Sequence, residues 1–125
     1  MHRTTGLWNW AEYSTFSISD EVGKYRLTVA GYSGDAGNAM RVVVGVPQYV
    51  SNGRKFTTQD SDNDISDGSG GLYHPNCAVK HSGGWWYGSC SRSRLNKQTH
   101  TYWTTDGTLP LPEDVQASHM LVKIK

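Results

Sequence analysis

Apolar and polar residues alternate through "LWNWAEYSTFSI" (residues 7–18) and again through "KYRLTVAGY" (residues 24–32), and β-branched and aromatic types dominate both stretches. A period of two places successive side chains on opposite faces, so these read as two strands. The five residues "SDEVG" between them have hairpin-turn composition and length. The pattern therefore predicts a β-hairpin over residues 7–32. Beyond it, "SGDAGNA" is too rich in Gly and Asp to continue a sheet. A third apolar run, "MRVVVGVPQYV", contains Pro47, which confines it to an edge strand or an ordered loop. The C-terminal "HMLVKIK" has strand composition and is expected to insert into the sheet and order the chain end. No internal repeat and no long amphipathic helix is visible.

Between Ser51 and Gly84 the chain is mostly Gly, Ser, Asp and Asn. A structureless stretch of that length is improbable inside a compact domain unless something ties it down. Two features inside it are candidates for the tie. The first is "QDSDNDISDG", where Asp60, Asp62, Asp64 and Asp67 crowd together. Hard cations take six to eight oxygen ligands, and carboxylates on a loop supply them. An EF-hand counted from Asp60 requires Gly and Glu where Ile65 and Gly71 stand, so that motif is rejected. Spacing alone leaves a cation loop and a solvated acidic turn both open.

The second feature is Cys77 and Cys90, flanking "AVKHSGGWWYGS". A disulfide there closes a short loop and on the chain-entropy model contributes about 3 kcal/mol. Two other readings stand beside it: zinc held by His74, Cys77, His81 and Cys90, although their spacing is not that of a finger or ribbon, and a free-thiol nucleophile with His81 as base. Ser33 in "GYSGDAG" fails as a nucleophile elbow because Asp35 occupies the required Gly place. No enzyme activity is expected.

With 125 residues the chain suits one domain with a modest core. Twelve basic residues against eleven acidic ones, a formal charge of +1, give no electrostatic reason for a nucleic-acid or anionic-membrane partner. No apolar run approaches the roughly 20 residues of a membrane span, and "MHRTTGLWNW" lacks a signal-peptide apolar region. No Asn-x-Ser/Thr sequon occurs.

Three long stretches, "WAEYSTFSISDEVGKYRLTVAGYSGDAGNAM", "NGRKFTTQDSDND" and "NCAVKHSGGWWYGSCSRSRLN", resemble in order and spacing the fibrinogen C-terminal globular domain, a family shared by fibrinogen, ficolins, tachylectins, angiopoietins and tenascins. The resemblance runs over most of residues 8–96. It implies an α+β fold, β-rich with short helices and long ordered loops, and an extracellular compartment. It also implies Ca²⁺ on the acidic loop, with side chains of Asp62 and Asp64 and backbone carbonyls of Ser66 and Gly68 as ligands. Asp60 would then lie outside the ligand set, with Asn63 and Asp67 shaping the turn. The affinity expected is that of extracellular modules, about 10⁻⁴ to 10⁻³ M. Cys77 pairs with Cys90 on this reading, the Ser89–Cys90 peptide is cis, and a ligand pocket adjoins both, drawing on Tyr87, Ser89, Cys90, Ser91 and Tyr102. Trp103 is a further possible wall, whereas Trp85 and Trp86 are assigned to the fold.

The function implied is calcium-dependent recognition, lectin-like binding of acetylated carbohydrate in innate immunity. The alternative is a matrix or growth-factor type of domain that binds protein. Several positions depart from the family pattern. Ser91 stands where family lectins commonly place His, "SGGLYHP" is extra, a second apparent insertion surrounds "RVVVGVPQYV", and the C-terminal stretch keeps Asp106 and Gly107 but little else. No counterpart of the family's N-terminal part precedes Leu7, so residues 1–125 are expected to form a single partial domain, with any oligomerisation arising from regions outside this chain.

Overall fold

The computed structural model describes residues 2–3, 6, 8–41, 45–66, 76–96, 102–103 and 115–124. Its elements are β1 (His2–Arg3), β2 (Ala11–Ile18), β3 (Leu27–Gly34), a 3-10 turn (Pro47–Tyr49), α1 (Cys77–His81), β4 (Ser93–Arg94), β5 (Tyr102–Trp103) and β6 (Val115–Ala117). The strands pair antiparallel in three two-stranded sheets, β1 with β6, β2 with β3 and β4 with β5. The fold is thus strand and loop with little helix.

The predicted hairpin forms, with Ala11 opposite Gly34 and Ile18 opposite Leu27. Its two faces are covered differently. On one, Leu27 and Val29 are buried and Phe16, opposite Val29, meets Trp86 edge to face. On the other, Tyr13 and Tyr32 stand opposite each other, and their hydroxyls accept the Met40 and Gly37 backbone N–H groups. The turn is longer than the alternation suggested. Lys24 and Tyr25, read as strand, have φ of 58° and 53° and belong to the turn, so β3 begins at Leu27.

The stretch from Ser51 to Thr57 runs as a seam between β3 and the disulfide loop. Gly53 N–H donates to the Leu27 carbonyl, Leu27 N–H donates to Arg54, and Val29 N–H donates to Oδ1 of Asn52. On its other side Thr57 and Trp85 exchange both backbone bonds. The core lies along this seam, built from Leu27, Val29, Met40, Ala78, Trp85, Trp86, Tyr87 and Trp103 with the bonded cysteines.

Of the two alternatives for the run at 40–50 the ordered loop holds at Pro47–Tyr49, and the expectation for the C-terminal segment is corrected. The run at 40–50 supplies a 3-10 turn at Pro47, because proline fixes φ and brings no N–H to a ladder. The terminal "HMLVKIK" contributes no strand within residues 119–124, where Leu121 is 93% and Ile124 90% exposed. Strand composition is not enough without a neighbour to pair with. The pairing near the C-terminus comes instead from Val115–Ala117 on His2–Arg3.

Candidate functional site

The acidic segment is ordered by its own side chains up to Ser66. Thr58 and Ser61 exchange backbone bonds, and the Thr58 hydroxyl donates to Asp60 at 2.7 Å, holding that exposed carboxyl below the usual carboxylate range. Asn63 turns inward. Its backbone N–H donates to Oγ1 of Thr57 and its amide nitrogen to the Phe56 and Ser61 carbonyls. Asp64 N–H then donates to Oδ1 of Asp62 at 3.2 Å.

Asp64 is the pivot. One oxygen accepts from Ser66 N–H and the other from Cys77 N–H, both at 2.8 Å, so a single carboxylate joins the acidic loop to the start of α1. Burial pushes the Asp64 carboxyl up from its ordinary range. The two N–H donors oppose that rise, and the neighbouring Asp62 carboxylate adds to it. Beside it the Ser66 hydroxyl oxygen is buried with no hydrogen-bond partner. Two adjacent carboxylates, one of them desolvated, next to an orphaned oxygen form a donor set of the hard-oxygen kind that suits Ca²⁺. Asp62, Asp64 and Ser66 are linked by these bonds, the unbonded oxygen at Ser66 being its hydroxyl and not the carbonyl of the expected ligand set, and Gly68 lies outside the described residues. Among the described residues no three His, Cys, Asp or Glu side chains converge.

Cys77 and Cys90 are joined in a disulfide. The zinc and free-thiol readings are excluded, since both sulfurs are bonded, and the His81 ring takes a hydrogen bond from Nη1 of Arg94. His74 lies outside the described residues. Asn76 caps α1, its Oδ1 accepting from Ala78 and Val79 N–H while its Nδ2 reaches back to the Thr58 carbonyl. The cap therefore ties the helix to the acidic loop a second time. Asn76 was not among the residues expected at the site, although Asn before a short run ended by Ser-Gly-Gly is a helix-start signal.

The peptide between Ser89 and Cys90 is cis. Around it the backbone is cross-linked: Ser89 N–H donates to the Gln48 carbonyl, Gly88 N–H donates to Cys90, and the Gly88 carbonyl accepts from Ile65. A Cβ on Gly88 would collide with the Gln48 carbonyl, which gives this glycine a steric reason. The 3-10 turn, the acidic loop and the disulfide meet at this residue.

The other expected pocket residues divide. Tyr87 is 2% exposed, stacks on His81, and donates its hydroxyl to the Gly83 carbonyl, so it is a core residue here. Burial pushes its phenol up to about 12, with Arg94 lowering it and Asp64 raising it. Ser91 is 7% exposed and faces inward, donating to the Ser93 carbonyl and lying 3.2 Å from the Ser51 hydroxyl. Ser51 in turn accepts from Trp85 Nε1. Serine fits this buried hydroxyl cluster because it both donates and accepts. Tyr102 pairs with Arg94 through the backbone, and its side chain lies outside the described set. Trp103 is buried and donates to the Gly37 carbonyl. Ser89 and Cys90 remain at the junction between the disulfide and the 3-10 turn.

A β-hairpin packed on a short disulfide loop and a long acidic loop places the chain in the class of fibrinogen-like globes. The globe domain of human ANGPTL2 superposes with a TM-score of 0.64 at 30% identity, covering 86% of this chain and 48% of that one. A lamprey fibrin D-dimer complexed with the peptide Gly-His-Arg-Pro-amide superposes with a TM-score of 0.64 at 28% identity, covering 82% and 33%. The chain belongs to the family of C-terminal globular domains of fibrinogen beta and gamma chains, whose sequence profile matches residues 1–111. Among its relatives, ryncolin-4 of Cerberus rynchops is 40% identical over 91 residues, 72% of this chain and 22% of that protein. A techylectin-like protein of Phoneutria nigriventer is 39% identical over 89 residues, 71% of this chain and 34% of that protein. The chain thus spans well under half the length of these curated relatives.

Proposed function

We propose that this chain is a calcium-dependent extracellular recognition module, with lectin-like binding of acetylated carbohydrate as its leading activity and innate immune recognition as its setting. The observation that carries the reading is Asp64, a desolvated carboxylate set beside Asp62 and Ser66 and bonded to Cys77 N–H. Ca²⁺ would be held by Asp62 and Asp64 with the carbonyls of Ser66 and Gly68, and it would supply positive charge that offsets the partly buried Asp64 carboxylate and its exposed neighbour Asp62. The protein's own part is to transmit that order: Asp64 fixes the start of α1, the disulfide fixes Cys90, and Gly88 fixes the loop around Ser89. An acetyl group needs a small apolar niche and one or two fixed donors, and this junction is where they would be presented. The disulfide favours an oxidising, secretory route, and the family is one of recognition rather than catalysis.

The test is a column of immobilised N-acetylated sugar. Retention in calcium, elution by excess chelator and rebinding when calcium is restored are expected. Retention unaffected by chelator would remove the calcium-dependent part of the reading. A second reading, protein binding without sugar, is favoured by the inward placement of Tyr87 and Ser91, which removes two polar groups from the expected pocket. No retention on the sugar in either condition would select it.

A further inference from the structure

A separate cleft opens at the hairpin turn, away from the disulfide junction. We propose that it is a binding subsite for one neutral hexopyranose ring. Tyr25, 44% exposed, and Phe56 give it aromatic lining, and the Phe56 ring packs edge to face on Trp86 at 5.1 Å. Thr58, Ser61, Asn63, Glu21 and Lys24 give it polar lining.

The backbone is held in an uncommon conformation to build this lining. Lys24 and Tyr25 are consecutive non-glycine residues with positive φ, which a bulky side chain rarely adopts. Three different segments fix them: Tyr25 N–H donates to the Asp20 carbonyl, Phe56 N–H donates to Lys24, and Trp86 Nε1 donates to Tyr25 at 2.9 Å. Such a conformation persists where its surroundings over-determine it, and it is a reason to look for function.

The polar groups are arranged rather than merely present. The Asn63 amide nitrogen is committed to the Phe56 and Ser61 carbonyls, which orients its carbonyl oxygen, and that oxygen takes no hydrogen bond from the described residues. Among the described residues neither the Glu21 nor the Lys24 side chain has a hydrogen-bond or ion-pair partner. The cleft therefore offers an amide acceptor, a carboxylate acceptor and an ammonium donor together with two aromatic side chains. A pyranose complements this set, with C–H faces for the rings and hydroxyls that both donate and accept. An anion would meet Glu21 and a cation Lys24, so the two opposite charges favour a neutral ligand. The cleft volume, about 150 Å³, is below the ~300–1,000 Å³ of drug-sized pockets and suits a single ring. The proposal goes beyond the calcium reading, and its cleft borders the acidic loop through Thr58, Ser61 and Asn63.

The test is an amide NMR titration of the intact chain with the methyl glycosides of glucose, galactose and mannose, none of which carries an acetyl group. At least one is expected to move amides of residues 21–25 and 58–63 in the millimolar range. Tyr25→Ala and Glu21→Gln should each weaken it about tenfold, with the rest of the spectrum preserved, whereas Lys80→Ala on α1 should leave it unchanged. No shifts with any glycoside, shifts confined to residues 87–91, or unaltered affinity in both cleft variants would each overturn the proposal. Loss of chelator-sensitive retention on N-acetylated sugar, with these shifts intact, would sink the calcium reading alone.

Discussion

Gly88 shows how much can depend on one absent side chain. Its carbonyl and N–H serve the acidic loop and Cys90, and its α-carbon lies against the Gln48 carbonyl, which is backbone and has no rotamer with which to yield. Gly88→Ala should therefore lower stability by about 2–4 kcal/mol, read as a reduced midpoint in urea. The tyrosines make a second prediction. Burial pushes the phenols of Tyr13 and Tyr87 up to about 12 from an ordinary 10. Their neutral form is favoured in the fold, so the associated stability is complete below pH 10 and is lost as pH rises through about 12. Alkaline unfolding followed by tryptophan fluorescence should show that loss in the wild type and less of it in Tyr13→Phe.

The elements differ in how far the chain announced them. β2 and β3 were legible because period-two alternation is a direct image of a pleated strand with covered faces. The turn was misjudged by several residues because positive φ at Lys24 and Tyr25 is imposed by Asp20, Phe56 and Trp86, and no local propensity encodes it. α1 spans five residues, too few for helical periodicity, and its one clear mark was the Asn76 cap. The acidic loop was marked by its family motif, which named Asp62 and Asp64 as calcium ligands, and the structure links the two through a backbone-to-carboxylate bond. Tyr87 and Ser91 were assigned to a pocket but face inward, since an irregular loop has no alternation from which to tell its sides. The disulfide holds α1 to that loop across a sequence separation of 13, and reducing it should cost about 3 kcal/mol. Thermal melting with and without reductant, alongside a thiol count, measures this directly.

At the scale of the whole molecule, stability and the proposed ion are linked. With the affinity of extracellular modules, 10 mM calcium should add about 1.4–2.7 kcal/mol. The melting temperature should rise accordingly, and Asp64→Ala should abolish the rise. An unchanged melting curve in the wild type would count against the calcium site. The described surface also leaves large apolar side chains in water, among them Trp10, Val22, Leu121 and Ile124. Such groups favour association, so light scattering of the isolated chain should show concentration-dependent self-association that mild detergent reverses.

The Asp64 carboxylate grips Ser66 with one oxygen and Cys77 with the other. Residues 67–75, which include the extra "SGGLYHP", are therefore bracketed by a clasp that does not depend on what lies between its jaws. Lengthening an already closed loop adds little entropic cost, about 0.6 kcal/mol per doubling. This interval is a natural port for grafted peptides, and evolution could diversify it while the flanking scaffold stays in register.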